Sequence, residues 1–228
     1  MKKRNNTVAL IFAALAILCF QILYYQLTVI LLQQFAARCQ GWSNDCYLMI
    51  HHTIQFLLVF IPTLILHKKT NLDFGYHING LKKGIIWVLV GLAYELVMSI
   101  VSGIIFGFGI NTYEADTYIF QLFFSGFGEE ILYRAIPLVL LPFAYGSEPT
   151  LRIGSKIKLP IDVMIAALFF SIAHISFQFG QPGISYSELQ LVSAFGAGII
   201  FGMIFKKSHS VWLCMIAHGV YNILAITF

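Results

Sequence analysis

Glu129, Glu130 and Arg134 stand together in GFGEEILYRA, Gly126–Ala135, inside one of the most apolar stretches of the chain. A charged side chain at the centre of a membrane helix costs roughly 2.5–3.5 kcal/mol on insertion scales. Three of them, unpaired and facing lipid, would cost on the order of 8–10 kcal/mol, comparable to the stability of a typical domain. They must therefore face a bundle interior, pair, or neutralise. Helical spacing assigns the partners. Glu130 and Arg134 are i,i+4 with the acid first, the favoured order for an ion pair, whereas Glu129 points about 140° around the helix from Arg134. Arg134 therefore answers Glu130, one carboxylate becomes structural, and Glu129 is left for chemistry.

Two further apolar stretches carry histidine. FFSIAHISF places His174 one turn after Phe170, and CMIAHGVYNIL places His218 and Asn222 at i,i+4 on one helical face. Glu129 lies about a dozen residues from the end of its span, or about 18 Å at 1.5 Å per residue. His174 and Asn222 lie at similar depths, so all three come near the middle of a hydrocarbon core of about 30 Å. Taken singly, an intramembrane His or Asn is more simply an interhelical hydrogen-bond partner. Together, a carboxylate, two imidazoles and an amide at matched depth form a set that can handle water and a carbonyl group.

The elements that must position this set are membrane helices. The chain is 59% hydrophobic and 11% charged, against about 45–50% and 25% for a soluble domain. The expected architecture is an all-α polytopic transmembrane helix bundle, residues 1–228 forming a single integral membrane domain. Seven apolar segments are long enough to be considered as spans: Thr7–Phe35, Cys46–Leu66, Gly84–Ile110, Thr117–Tyr145, Ile161–Phe179, Leu189–Phe205 and Ser210–Phe228. The first is too long for a cleavable signal sequence. With the N-terminus inside and strict alternation, all of the 14 Lys and Arg residues except Arg38 and Arg134 fall in inner segments, which predicts an N-in, C-out topology. The net charge of +4 resides in these short loops and does not indicate nucleic acid.

EEILYR resembles the EExxxR motif of the CAAX protease and bacteriocin-processing (CPBP, Abi) family of intramembrane proteases. FSIAH, Phe170–His174, resembles its FxxxH motif, and HGVYN, His218–Asn222, its HxxxN motif. The three occur in the family's order, within Thr117–Phe228, so residues 117–228 form the expected protease-like core. The resemblance implies an intramembrane endopeptidase in which Glu129 activates water with help from His174. His218 and Asn222 would steady the oxyanion, and Glu130 and Arg134 would support the site. A carboxylate in a low-dielectric cavity suits a general base near neutrality. Zinc is the alternative: Glu129, His174 and His218 could supply one carboxylate and two imidazoles, although HExxH is absent and the three come from separate helices.

The expected partners are membrane lipid and a membrane-associated peptide or protein substrate. In eukaryotes the resemblance implies prenylated C-termini; in bacteria it implies leader removal, pheromone maturation or bacteriocin immunity. The compact chain without a targeting extension points to a bacterial plasma membrane. Two readings compete: a non-catalytic binding partner or scaffold, as in bacteriocin self-immunity or sensor-kinase regulation, and a transporter with a proton relay, disfavoured by the lack of a two-half repeat. Substrate identity, side of entry and oligomeric state are left open.

Other residues read as structure. Glu95 is a third intramembrane carboxylate that lines a cavity or bonds a neighbouring helix. His51 and His52 read as interfacial, His209 as part of a solvated inner loop. Tyr133, one turn after Glu129, could bond it or simply pack. The GxxxG pairs Gly103/Gly107 and Gly198/Gly202 read as close helix packing within the bundle. Cys39 and Cys46 flank a polar loop and could pair on an oxidising side.

Overall fold

The computed structural model describes residues 6–36, 41–78, 80–153, 157–177 and 182–228. Three long helices come first: α1 Thr7–Ala36, α2 Asn44–Lys69 and α3 Leu81–Phe106. A broken run follows, with α4 Ala115–Phe123, α5 Ser125–Glu130, a π turn Ile131–Ala135 and α6 Ile136–Tyr145. A small antiparallel hairpin, β1 Thr150–Ile153 and β2 Ile157–Pro160, leads into α7 Ile161–Ile172, α8 Glu188–Ser208 and α9 Val211–Thr227. Among the described residues the protein is an all-α bundle with this one hairpin.

The segments run back and forth between two ends. At one end Asn6 donates to the Tyr145 carbonyl and Val211 to that of Gly75, at 3.2 and 3.0 Å. At the other, Asn111 donates to the Thr227 carbonyl at 2.9 Å and Ser43 to Asp116 at 3.0 Å. The described connections rich in Lys and Arg share the end that bears Asn6. Among the described residues, four helices are long and apolar enough to cross a membrane alone: α1, α2, α3 and α8. The other three traverses, α4–α6, α7 and α9, are shorter or interrupted.

The periphery and the centre differ in what they bury. In their most apolar stretches α1 and α3 have 17% of residues buried, whereas α8 has 44%. Ile104, Phe106 and Phe12 point outward, an apolar exterior that only hydrocarbon can cover without penalty. α8 is the central post. Its Gly198 and Gly202 face Ala167 and Val163 of α7, where an added Cβ would come within 2.8–2.9 Å of their atoms. This pair therefore packs inside the bundle, as its spacing suggests. Gly107 does not pack; it caps α3 at φ +100°.

One buried ion pair sets the register of α7 against α8. Asp162 is fully buried, and Lys206 Nζ lies 2.6 Å from its Oδ2 and 3.0 Å from Glu148 Oε1. His209 is exposed and closes α8 in the left-handed conformation at φ 51°. Cys39 lies outside the described residues, and with it the pairing considered for Cys46.

Two expected spans prove discontinuous. Thr117–Tyr145 is broken at Phe124 and again at the π turn. The latter has a local cause: Pro137 has no N–H, and the last donor before it, Ile136, bonds the Ile131 carbonyl five residues back. The Leu132 carbonyl thereby loses both helical donors, and Gln21 of α1 supplies one at 2.8 Å through Nε2. Ile161–Phe179 is helical only to Ile172. The chain then turns, and Ser176 pairs with Ser185 across an antiparallel bridge.

Candidate active site

The π turn and α5 carry the acidic motif into the bundle, and all five residues of the turn are buried. Glu130 and Arg134 are both 0% exposed, with Arg134 Nη2 3.4 Å from Glu130 Oε1. The guanidinium lies 4.0 Å from the Phe170 ring centroid and 5.4 Å from that of Phe201, so ring faces complete its surroundings. His218 joins this pair. Its Nδ1 is 2.8 Å from Glu130 Oε1, and its ring stacks on Phe201 at 5.1 Å. The close approach depends on Gly126, where a Cβ would come within 2.9–3.0 Å of the His218 ring, and on Gly219, where it would lie 2.2 Å from the Leu122 carbonyl oxygen.

Glu129 differs from its neighbour in every respect. Its side chain keeps 32% exposure, and its closest charged partner is His218 Nε2 at 3.9 Å. With Nδ1–H held by Glu130, His218 directs Nε2 toward Glu129. His174 sits in the turn just beyond α7, where its Nδ1 bonds the Phe170 carbonyl at 2.8 Å, leaving Nε2 for another partner. Asn222 is half-buried on α9 and donates through Nδ2 to Ser125 Oγ at 2.8 Å, which in turn donates to the Gln121 carbonyl.

Two cavities meet at this centre. One of about 340 Å³ is lined by Glu129, Tyr133, His51, His52 and Gln55. The other, about 390 Å³ between α3, α8 and α9, is lined by His218, Asn222, Tyr221 and Glu95. Phe170, His174 and Gln190 line both. The expected site residues are thus brought to one place but divided: Glu129 on one side, His218 and Asn222 on the other, His174 between. Glu130 and Arg134 line neither cavity. Tyr133 packs its ring on Phe170 at 5.7 Å.

The first three helices hold what sequence reasoning missed. His51 is buried, and both it and His52 line the Glu129 cavity. Gln26 of α1 donates to the Phe177 carbonyl at 2.9 Å, tethering the segment after His174. Tyr24 donates to the Gln55 carbonyl, and Gln55 to Thr28. The only signal for these residues was a polar side chain inside an apolar span.

Among the described residues no three His, Cys, Asp or Glu side chains converge closely enough to hold an ion; Glu129 and His218 approach one another, but His174 does not complete a triangle with them.

The site thus joins a buried carboxylate–arginine pair and an imidazole to a second, partly exposed carboxylate on a cavity. Residues 111–224, half of the chain, match the family described as Type II CAAX prenyl endopeptidase Rce1-like, and the chain belongs to that family. The resemblance carried by EEILYR, FSIAH and HGVYN is borne out. The chain has no significant match to any curated protein or solved structure.

Proposed function

We propose that the chain hydrolyses a peptide bond in a membrane-associated peptide or protein, with Glu129 as general base. The observation that supports this most is the division of labour between adjacent carboxylates. Glu130 is sealed in and committed to His218 and Arg134, while Glu129 is partly exposed on a cavity.

Water in the Glu129 cavity gives a proton to Glu129, with His174 Nε2 accepting the second hydrogen bond and orienting the oxygen. The hydroxide oxygen adds to the carbonyl carbon, and the electron pair moves onto the carbonyl oxygen. That oxyanion faces the wall formed by His218 and Asn222. When the C–N bond breaks, the amine leaves with the proton held by Glu129. Every bond made and broken is accounted for by the substrate, one water and these side chains. The end bearing the basic connections faces the cytoplasm in this reading, which suits a bacterial plasma membrane.

The test compares membrane and secreted peptides by mass spectrometry from cells expressing the native chain or Glu129→Gln at matched levels. A defined precursor that accumulates while its product disappears supports the peptidase and reads out the cleavage position. Matching peptide pools with a surviving cell phenotype would replace catalysis with a binding role.

A further inference from the structure

Among the described residues three carboxylates are buried to 4% exposure or less: Glu130, Asp162 and Glu95. Two have cations built into the chain. Arg134 answers Glu130 at 3.4 Å, and Lys206 answers Asp162 at 2.6 Å. Glu95, in the middle of α3, has neither Lys nor Arg. Its Oε1 receives the Ser99 hydroxyl at 3.4 Å, and the Tyr221 hydroxyl also bonds this carboxyl group. Beside it, Tyr221 and Ser193 bond each other at 2.9 Å.

Placement makes this odd carboxylate informative. Glu95 lines the 390 Å³ cavity that His218 and Asn222 also line. Among the described residues no Lys or Arg lines that cavity; the remaining polar wall is Ser, Gln, Tyr and His. A buried carboxyl group is costly to ionise without a counter-charge, and the two other examples in the same bundle each have a cation beside them. The cavity also extends past Ser102 to Phe106 and Phe228 at the end of the bundle, a path along which a peptide segment could lie.

We propose that Glu95 anchors a cation subsite: the substrate supplies the missing counter-charge, as a lysine or arginine side chain or a free α-amino group lying in the α3–α8–α9 cavity. This rests on reading the adjacent residues as the peptidase centre. It adds a specificity determinant contributed by α3, outside the family-matched segment. A substrate cation pairs there with a desolvated carboxylate, where charge-assisted hydrogen bonds are strong. A neutral isostere would leave the acid unpaired, so discrimination of about tenfold or more is expected.

The test is a binding measurement on the purified full chain in lipid nanodiscs, carried out in the Glu129→Gln background so that turnover does not interfere. Four apolar octapeptides are titrated: one with a central Lys, its Gln counterpart, and the N-acetylated form of each. The expected result is at least tenfold tighter binding of a cationic peptide over its neutral counterpart. The acetylated pair isolates the side chain, and the Gln pair isolates the α-amino group. That preference should vanish in Glu95→Gln and persist in Glu95→Asp, with thermal unfolding confirming that both are folded. Equal binding of all four peptides to the chain retaining Glu95 overturns the proposal without any Glu95 variant, as does a preference that survives Glu95→Gln. Binding that depends on Glu95, together with no cleavage by the chain retaining Glu129, would retain the subsite and remove the peptidase reading.

Discussion

The two halves of this bundle contribute different things to one site. The C-terminal half, matched to the family over residues 111–224, carries Glu129, Glu130, Arg134, His174, His218 and Asn222. The N-terminal helices carry none of these, yet they build much of the wall around them. His51, His52 and Gln55 face the Glu129 cavity, Glu95 faces the other, and Gln21 and Gln26 hold the backbone of the π turn and of the segment after His174. In the proposed mechanism the reacting groups come from one half, and the proposed selectivity and much of the cavity wall come from the other. Substitutions in the two halves should therefore fail differently.

The largest effect belongs to Glu129→Gln. Loss of a general base removes on the order of a thousandfold in rate, with the thermal unfolding midpoint nearly unchanged because the side chain is partly exposed. A rate within tenfold of native, measured on purified protein by product formation, would break the assignment of Glu129. Glu130→Gln or Arg134→Met should fail by stability instead. Breaking a fully buried pair costs about 3–5 kcal/mol, which thermal unfolding in detergent would register as a large drop in midpoint and yield. An unchanged midpoint would show that the pair does not hold the site together.

Gly126→Ala comes next. The new Cβ would collide with the His218 ring, and a small displacement of that imidazole should lower kcat by about 10–100-fold while KM stays near native. A change in KM alone would mean that His218 contacts substrate rather than the reacting atoms. In the N-terminal half, His52→Phe keeps an aromatic ring but removes polar lining from the Glu129 cavity. A loss of about tenfold is expected in steady-state rate, with little change in unfolding temperature; a thousandfold loss would move His52 into the reacting set and blur the division between halves. The smallest effect should follow chelation. Because Glu129, His174 and His218 do not converge on an ion site, prolonged treatment with a chelator should leave activity within about twofold, too small a change for a lost catalytic group. Loss of activity with recovery on added zinc would restore the metal reading.

Much of the site was legible before the fold. The i,i+4 spacing of Glu130 and Arg134 is enough to pair them, and the apolar matrix makes that pairing obligatory. The separation of Glu129 from Arg134 also follows from helical geometry. The seven apolar segments were legible as well, because hydropathy over about 20 residues reports transfer into hydrocarbon directly. Their interruptions were not. Pro137 marked where the helical ladder would lose a donor, but whether the chain kinks, widens or breaks there depends on which neighbour accommodates the orphaned carbonyl, and that neighbour is Gln21, 111 residues away. The end of α7 at Ile172 was hidden for a similar reason: the apolar run continues to Phe179, but hydrophobicity does not state backbone conformation. That His51 and His52 face the Glu129 cavity was hidden because their position along α2 gives depth, and only packing gives direction.

The sequence by itself determined that this is a membrane bundle of apolar helices, that its charges must turn inward, and that one of two adjacent glutamates would be committed while the other stayed available. Those conclusions follow from transfer free energies and a 3.6-residue period, which are local properties. The tertiary structure alone decided that Glu130 is shared between Arg134 and His218, that two cavities meet at His174, and that Glu95 faces one of them without a cation. These depend on which helix faces meet across the bundle, and that is set by the fit of small residues such as Gly126, Gly198 and Gly219 against distant partners.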